Sequence, residues 1–375
     1  MVDVGTRCCG CGACFYSCPQ KCIKIVNNKD GFPVSLVDVD SCVQCGRCEK
    51  VCPVLIDIPT SAIPEVFLAA SKNTKERNVS SSGGIFALLA KQIIDQGGVV
   101  CGAVIEPYTM KVQHTIIDST EDLPQLLGSK YVQSDLGNCL PKIRDLAKER
   151  LVLFCGTPCQ VSALRQFVGE SKNVVGIDFI CHGVPSNKVF QNYIKSMERR
   201  YKSKIDNVNF RCKDTTWKKF SMYLHFENGS SYRKNFDLDP YGQAFTTNIS
   251  LRESCYSCPS RQVSRQSDIT LSDAWGVSNS HTLIKENLGA STVFIHSVPG
   301  QVLFDTIKDQ ISTETLSDNE KKTQLMRLTE GHDKHRNYRD FFNNLGQIDF
   351  CDLVKQYARY SLMKRIRKYV KLLVK

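Results

Sequence analysis

No apolar run in this 375-residue chain approaches the ~20 residues needed to cross a bilayer, so a helical membrane span is not expected. Met1, Val2, Asp3, Val4 and Gly5 lack the basic segment followed by an apolar one that marks a secretory leader. The expected setting is a reducing cytoplasm, where thiols stay free of disulfides. One-signed charge is also scarce over most of the chain. The first sixty residues carry six basic and six acidic side chains. Seven of the eleven net positive charges come from residues 352–375, where Lys355, Arg359, Lys364, Arg365, Arg367, Lys368, Lys371 and Lys375 face Asp352 alone. A body this balanced is a poor electrostatic match for a polyphosphate strand, so no nucleic-acid partner is expected.

Cysteine is abundant, with nineteen in the chain. Cys8, Cys11, Cys14 and Cys18 precede Pro19, and Cys42, Cys45, Cys48 and Cys52 precede Pro53. Both runs have the spacing of a cubane iron–sulfur site. Three close cysteines reach three irons of one cube, and the fourth lies too far round and serves the other. Cys8, Cys11, Cys14 and Cys52 are thus expected to hold one 4Fe-4S cluster, and Cys42, Cys45, Cys48 and Cys18 the second. A zinc ribbon would use two separated Cys-x-x-Cys pairs, and a disulfide framework belongs to small secreted chains. Cys9 and Cys22 fall outside the spacing and read as small buried apolar residues. Residues 1–60 therefore read as a two-cluster ferredoxin module.

A proline-broken stretch, 53–64, reads as a linker. Residues 66–70 begin a strand. Ser80, Ser81, Ser82, Gly83 and Gly84 open onto an apolar helical stretch, 85–96, and 99–105 reads as a buried strand. Such a loop either offers free backbone N–H groups to a phosphate or forms an ordinary serine cap. Residues 140–150 read as a charged surface helix, 151–154 as a short buried strand, then a helix through Phe167 and a strand over 173–180. This alternation suggests an α/β layer with sites at the strands' C-terminal ends, where Cys159 and Cys181 fall. With Cys255 and Cys258 they make four cysteines from three segments, enough for a third cluster or a zinc site.

Ser81, Ser82, Gly83, Gly84 and Ile85; Gly128, Ser129, Lys130, Tyr131, Val132, Gln133 and Ser134; Gly156, Thr157, Pro158, Cys159 and Gln160; Cys181, His182, Gly183, Val184, Pro185 and Ser186; Cys255, Cys258 and Pro259; Ser267, Asp268, Ile269 and Thr270; and Asp273, Ala274, Trp275 and Gly276 occur in an order that resembles the beta subunit of coenzyme F420-reducing hydrogenases and dehydrogenases. The resemblance covers about residues 66–300, and members with a fused two-cluster ferredoxin module extend it to the N-terminus. It implies an iron–sulfur flavoprotein that binds FAD and a further 4Fe-4S cluster. By motif, Cys159, Cys181, Cys255 and Cys258 become ligands of that third cluster, ahead of the nearby Cys155. Ser81, Ser82, Gly83, Gly84, Ile85, Lys130 and Tyr131 become flavin-contacting positions. The 181–186 stretch resembles a bacterial branch found among surface-polysaccharide genes. Lys130 is a candidate to stabilise reduced flavin, and His182 is a candidate proton carrier or structural hydrogen-bonding residue.

The expected fold is α+β: a bacterial-type ferredoxin module, an α/β flavin-binding body with an antiparallel insertion, and a C-terminal helical tail. Residues 66–145 would form the FAD-binding part, 146–300 the part with the third cluster, and 301–375 a helical extension. The insertion rests on short segments at 208–211, 221–226 and 230–233, with the hairpin signal Asn228-Gly229 between the last two. Trp217 and Tyr241 read as core. Segments 302–310 and 321–328 read as surface helices. Val354, Ala358, Leu362, Ile366, Tyr369, Val370 and Leu373 fall at helical spacing with a basic opposite face. Such a helix suits an anionic membrane, an acidic partner, or packing on its own body. The functional expectation is an oxidoreductase that exchanges electrons with a redox protein or small carrier and acts on a small molecule, with a relay subunit as the alternative.

Overall fold

The computed structural model describes residues 2–57, 62–214, 216–358 and 360. At its N-terminal end β1 (Ile23–Asn27) and β2 (Pro33–Val37) form an antiparallel hairpin, Ile23 opposite Val37. Two short helices, Ala13–Ser17 and Arg47–Lys50, pack on one another. The apolar filling is thin: Val2, Val4 and Ile23 share the interior with cysteines of both runs. So little hydrocarbon cannot hold a fold of this size alone, and bound metal is the usual remedy.

The body is built on one mixed sheet of eight strands, ordered β13-β3-β12-β11-β7-β6-β4-β5. In chain order these are β3 (Glu65–Ser71), β4 (Val99–Ile105), β5 (Val112–Ile117), β6 (Val152–Cys155), β7 (Val174–Phe179), β11 (Ile269–Asp273), β12 (Ser291–Ile295) and β13 (Ile311–Glu314). β4, β6, β7 and β11 run parallel in the centre. Their near-continuous apolar runs suit strands buried on both faces. β5 closes one edge antiparallel to β4, and β12, β3 and β13 extend the other antiparallel. Helix Ile85–Asp95 covers one face through Ile85, Leu88, Leu89 and Ile93, and Pro158–Val168 covers the other. The sheet draws strands from 66–145, 146–300 and 301–375 alike.

The insertion is a three-stranded antiparallel meander of β8 (Ile205–Cys212), β9 (Ser221–Phe226) and β10 (Ser231–Asn235), turning at Asn228 and Gly229. It packs with helix Asn187–Tyr201 in an aromatic core that includes Phe190, Tyr193, Phe210, Phe226 and Tyr241. Trp217 is buried and stacks on Trp275 at 4.8 Å. The surface helix read at 302–310 is instead helix Val298–Asp305, a single turn at Lys308–Gln310, and then β13. Ile307 and Ile311, both buried, pin this segment to the sheet. Residues 140–150 hold a shorter helix, Cys139–Leu146. Most of the basic tail, residues 361–375, lies outside the described residues. Among the described residues no helix is long and apolar enough to cross a membrane.

Candidate functional site

Folding the module brings its eight cysteines into two pockets. Cys8, Cys11, Cys14 and Cys52 line one, together with Cys9. Cys18, Cys42, Cys45 and Cys48 line the other, together with Cys22. Each pocket thus takes three cysteines from one run and the fourth from the other run, the arrangement two cubes require. Cys22 lies with its sulfur 3.4 Å from that of Cys18. The Val2 amide donates to the Cys48 sulfur at 3.3 Å. Burial pushes the Cys14 thiol up to about 11, with Cys8 adding to the rise. A cationic iron centre would relieve that cost by taking the sulfur as thiolate.

A third pocket lies where module meets body. Cys159 enters from the start of helix Pro158–Val168, Cys181 from the loop after β7, and Cys255 and Cys258 from the loop before β11. Thr157 caps the Cys159 helix, and its hydroxyl lies 3.1 Å from the Cys159 sulfur. Burial pushes Cys255 up to about 12 and raises Cys181, and neighbouring thiols add to both. Cys9, unmatched by spacing, lines this pocket as well as the first. Arg261 reaches the pocket wall with Nε and Nη1 buried and unpartnered. Converging thiols beside orphaned guanidinium N–H groups suit an anionic metal–thiolate group. Among the described residues no three His, Cys, Asp or Glu side chains close on one bare ion. Cys155 is absent from this pocket's lining and lines the cavity beyond it.

That cavity measures about 470 Å³, within the range of small-molecule sites of roughly 300–1,000 Å³. It lies along the C-terminal parts of β4, β6, β7 and β11, where open α/β sheets place their ligands. Ser81, Ser82, Gly84, Ile85, Lys130 and Tyr131 line it, but Gly83 does not. Gly83 packs on the sheet instead: a Cβ there would meet the Ala69 carbonyl oxygen at 2.6 Å, and its amide donates to Ser291 Oγ at 3.0 Å. Gly84, with φ +84°, is the N-cap of helix Ile85–Asp95, and no side chain caps that end. The serine-cap alternative is therefore not what forms. Ser81 instead pairs with the Ser129 hydroxyl at 2.8 Å, and Ser82 donates to the Ala290 carbonyl at 2.6 Å.

Lys130 Nζ donates to the carbonyls of Gln125 and Leu127, both at 2.9 Å, and burial brings its amine down to about 7. The Tyr131 ring sits among Phe210, Phe220, Phe236 and Phe245. His182 is held at 2.8 Å to Asn248 Oδ1, and burial lowers its pKa to about 4. It is therefore neutral at pH 7, which favours the hydrogen-bonding role over proton transfer. Three side chains that sequence spacing does not mark also face the cavity. Arg211 forms a two-pronged ion pair with Asp273 at 2.6 and 3.1 Å. Arg327 lies between cavity and third pocket, and His114 Nε2 donates to the Cys155 carbonyl at 3.0 Å. Ser80 Oγ, His114 Nδ1 and Arg211 Nε are buried here without partners, as expected of a wall built for a polar ligand.

Residues 7–56 match the 4Fe-4S dicluster domain, and residues 149–321 match the C-terminal domain of the coenzyme F420 hydrogenase/dehydrogenase beta subunit. Residues 149–321 are thus similar to the C-terminal domain of that family of beta subunits. The dicluster domain stands in front of that match and supports 4Fe-4S clusters in this chain. One subunit of the F(420)H(2) dehydrogenase of Methanosarcina mazei is 24% identical over 204 residues, 50% of this chain and 58% of the relative. An uncharacterized protein of Methanocaldococcus jannaschii is 25% identical over 211 residues, 45% of this chain and 55% of that protein. The chain thus spans little more than half the length of these curated relatives. Among solved structures, a chain of the F420-reducing [NiFe] hydrogenase complex from Methanosarcina barkeri aligns with a TM-score of 0.49 at 16% identity, over 73% of this chain and 92% of that one.

Proposed function

We propose that this protein is an iron–sulfur flavoprotein oxidoreductase. In this reading an outside carrier exchanges electrons with the module, Cys159, Cys181, Cys255 and Cys258 hold a third 4Fe-4S cluster, and the cavity takes FAD and a small-molecule substrate. The observation that carries it is adjacency. Cys9 borders the first and third pockets, and Cys181, Thr157 and Gln160 border both the third pocket and the cavity. Bound clusters would supply one-electron carriers, and a bound flavin would supply the conversion between single electrons and a hydride.

The chain's own residues account for binding and orientation. The uncapped N-terminus of helix Ile85–Asp95, with Ser81 and Ser82 beside it, offers amides and hydroxyls to a phosphate. Lys130, Arg327 and the Arg211–Asp273 ion pair supply the charged groups of a wall that includes Tyr131, Phe245 and Leu271. The substrate fits as a small molecule or sugar derivative, in line with the sequence resemblance. The alternative, a relay subunit serving a separate enzyme, draws on the subunit status of the Methanosarcina mazei relative.

The test is anaerobic: load the protein with FAD, add a reduced low-potential ferredoxin, and follow flavin bleaching. Cys181→Ser should slow flavin reduction at least ~100-fold while the module clusters still accept electrons. A protein that binds no FAD at micromolar concentration would rule the flavoprotein reading out.

A further inference from the structure

Arg252 belongs to the body, three residues before Cys255, and is only 3% exposed. Its guanidinium reaches into the module. Nε donates to the Cys8 carbonyl at 2.6 Å, Nη2 to the Pro33 carbonyl at 2.8 Å, and Nη1 to Gln133 Oε1 at 3.0 Å. Gln133 in turn donates to the Cys9 carbonyl at 3.0 Å. All of these acceptors are neutral. Among the described residues no carboxylate pairs with this guanidinium, so it lacks the counter-ion that such burial normally requires.

The missing negative charge has a natural source on both sides. Arg252 grips the backbone of Cys8, which lines the first thiol pocket, and itself lines the third with Cys159, Cys181, Cys255 and Cys258. Four thiolates on a 4Fe-4S core leave a net negative group, and reduction adds one electron and no bond change. A fixed cation nearby therefore favours the reduced form, more strongly in a low-dielectric interior. None of the hydrogen bonds of Arg252 reaches a residue that lines the second module pocket, whose own arginine is the exposed Arg47.

We propose that Arg252 is the shared counter-charge of the first and third clusters: it raises both reduction potentials together and fixes the Cys8-Cys9-Gly10 turn against the body. Gln133 positions the guanidinium. This rests on the third-cluster reading above.

The experiment is an anaerobic EPR redox titration of the full holoprotein, with iron measured on each sample and signals assigned by Cys45→Ser and Cys258→Ser. Arg252→Gln should weaken reduction of the first and third clusters on the order of tenfold, a fall of about 59 mV for a one-electron couple. The Cys42, Cys45, Cys48 and Cys18 cluster should keep its potential. Gln133→Glu puts a carboxylate at the acceptor of Nη1, so it neutralises the charge without removing it and should shift the same two potentials downward. It decides the matter alone if Arg252→Gln does not load. Unchanged potentials in a loaded variant, or an equal shift of all three clusters, would overturn the proposal. Wild-type protein with about eight irons per chain, two cubes of four, would instead remove the third cluster and the reading beneath it.

Discussion

Gly10 stands between two cysteines at φ +70°, and an added Cβ would meet the Pro33 carbonyl oxygen at 2.6 Å, Arg252 Nη1 at 2.8 Å and Gln133 Nε2 at 2.9 Å. Glycine to alanine ordinarily stabilises slightly by restricting the unfolded chain. Here left-handed strain and the clash reverse the sign, so Gly10→Ala should cost about 1–3 kcal/mol, read as a lower urea midpoint. A gain in stability would show that the module does not seat on Arg252 as described. Lys130 gives a pH test. Its folded value of about 7 lies below the unfolded value of about 10.4, so between them the unfolded chain binds more protons. Stability from this residue therefore rises as pH climbs from about 7 toward 10, and the penalty is complete below 7. Lys130→Met should flatten that rise in urea midpoints and, if the amine serves a flavin, also slow flavin reduction with iron content intact. A rise as steep as wild type would show that the amine titrates normally.

Elements differ in how plainly the sequence announces them. The cysteine runs could be read because metal ligation fixes spacing more tightly than packing does, and the crossing of Cys18 and Cys52 followed from the same reach. β4 and helix Ile85–Asp95 were legible from an unbroken apolar run and a clear 3.6-residue period closed by Gly97 and Gly98. β11, β12 and β13 were not, because each is short and owes its place to distant partners: Ile269 pairs with Ile177 and Ile295, and Ile311 with Ser71. Arg252 carried no signal at all, since a lone arginine looks the same whether it ends in water or between two cysteine pockets. The antiparallel insertion is tied to the sheet region by Trp217 stacked on Trp275. Trp217→Ala should therefore cost about 3–5 kcal/mol in chemical unfolding, and a loss below ~1 kcal/mol would mean that the stack is not part of the core.

At the scale of the whole molecule, module and body are joined by several independent contacts. Besides Arg252, Ser186 Oγ donates to the Asp30 carbonyl at 2.8 Å, and Arg339 pairs with Asp30 at 3.3 Å. The far pocket of the module remains toward solvent: Cys45 is exposed, with Val39 and Val43 about 60% exposed beside it. That end suits exchange with an outside carrier, while the cavity at the other end suits a substrate. The most direct measurement is iron, acid-labile sulfide and flavin quantified on one anaerobically purified sample. The account predicts about twelve irons, four per cube, and one FAD per chain. About eight irons with no flavin would contradict it and leave a dicluster module attached to a body that binds neither cofactor.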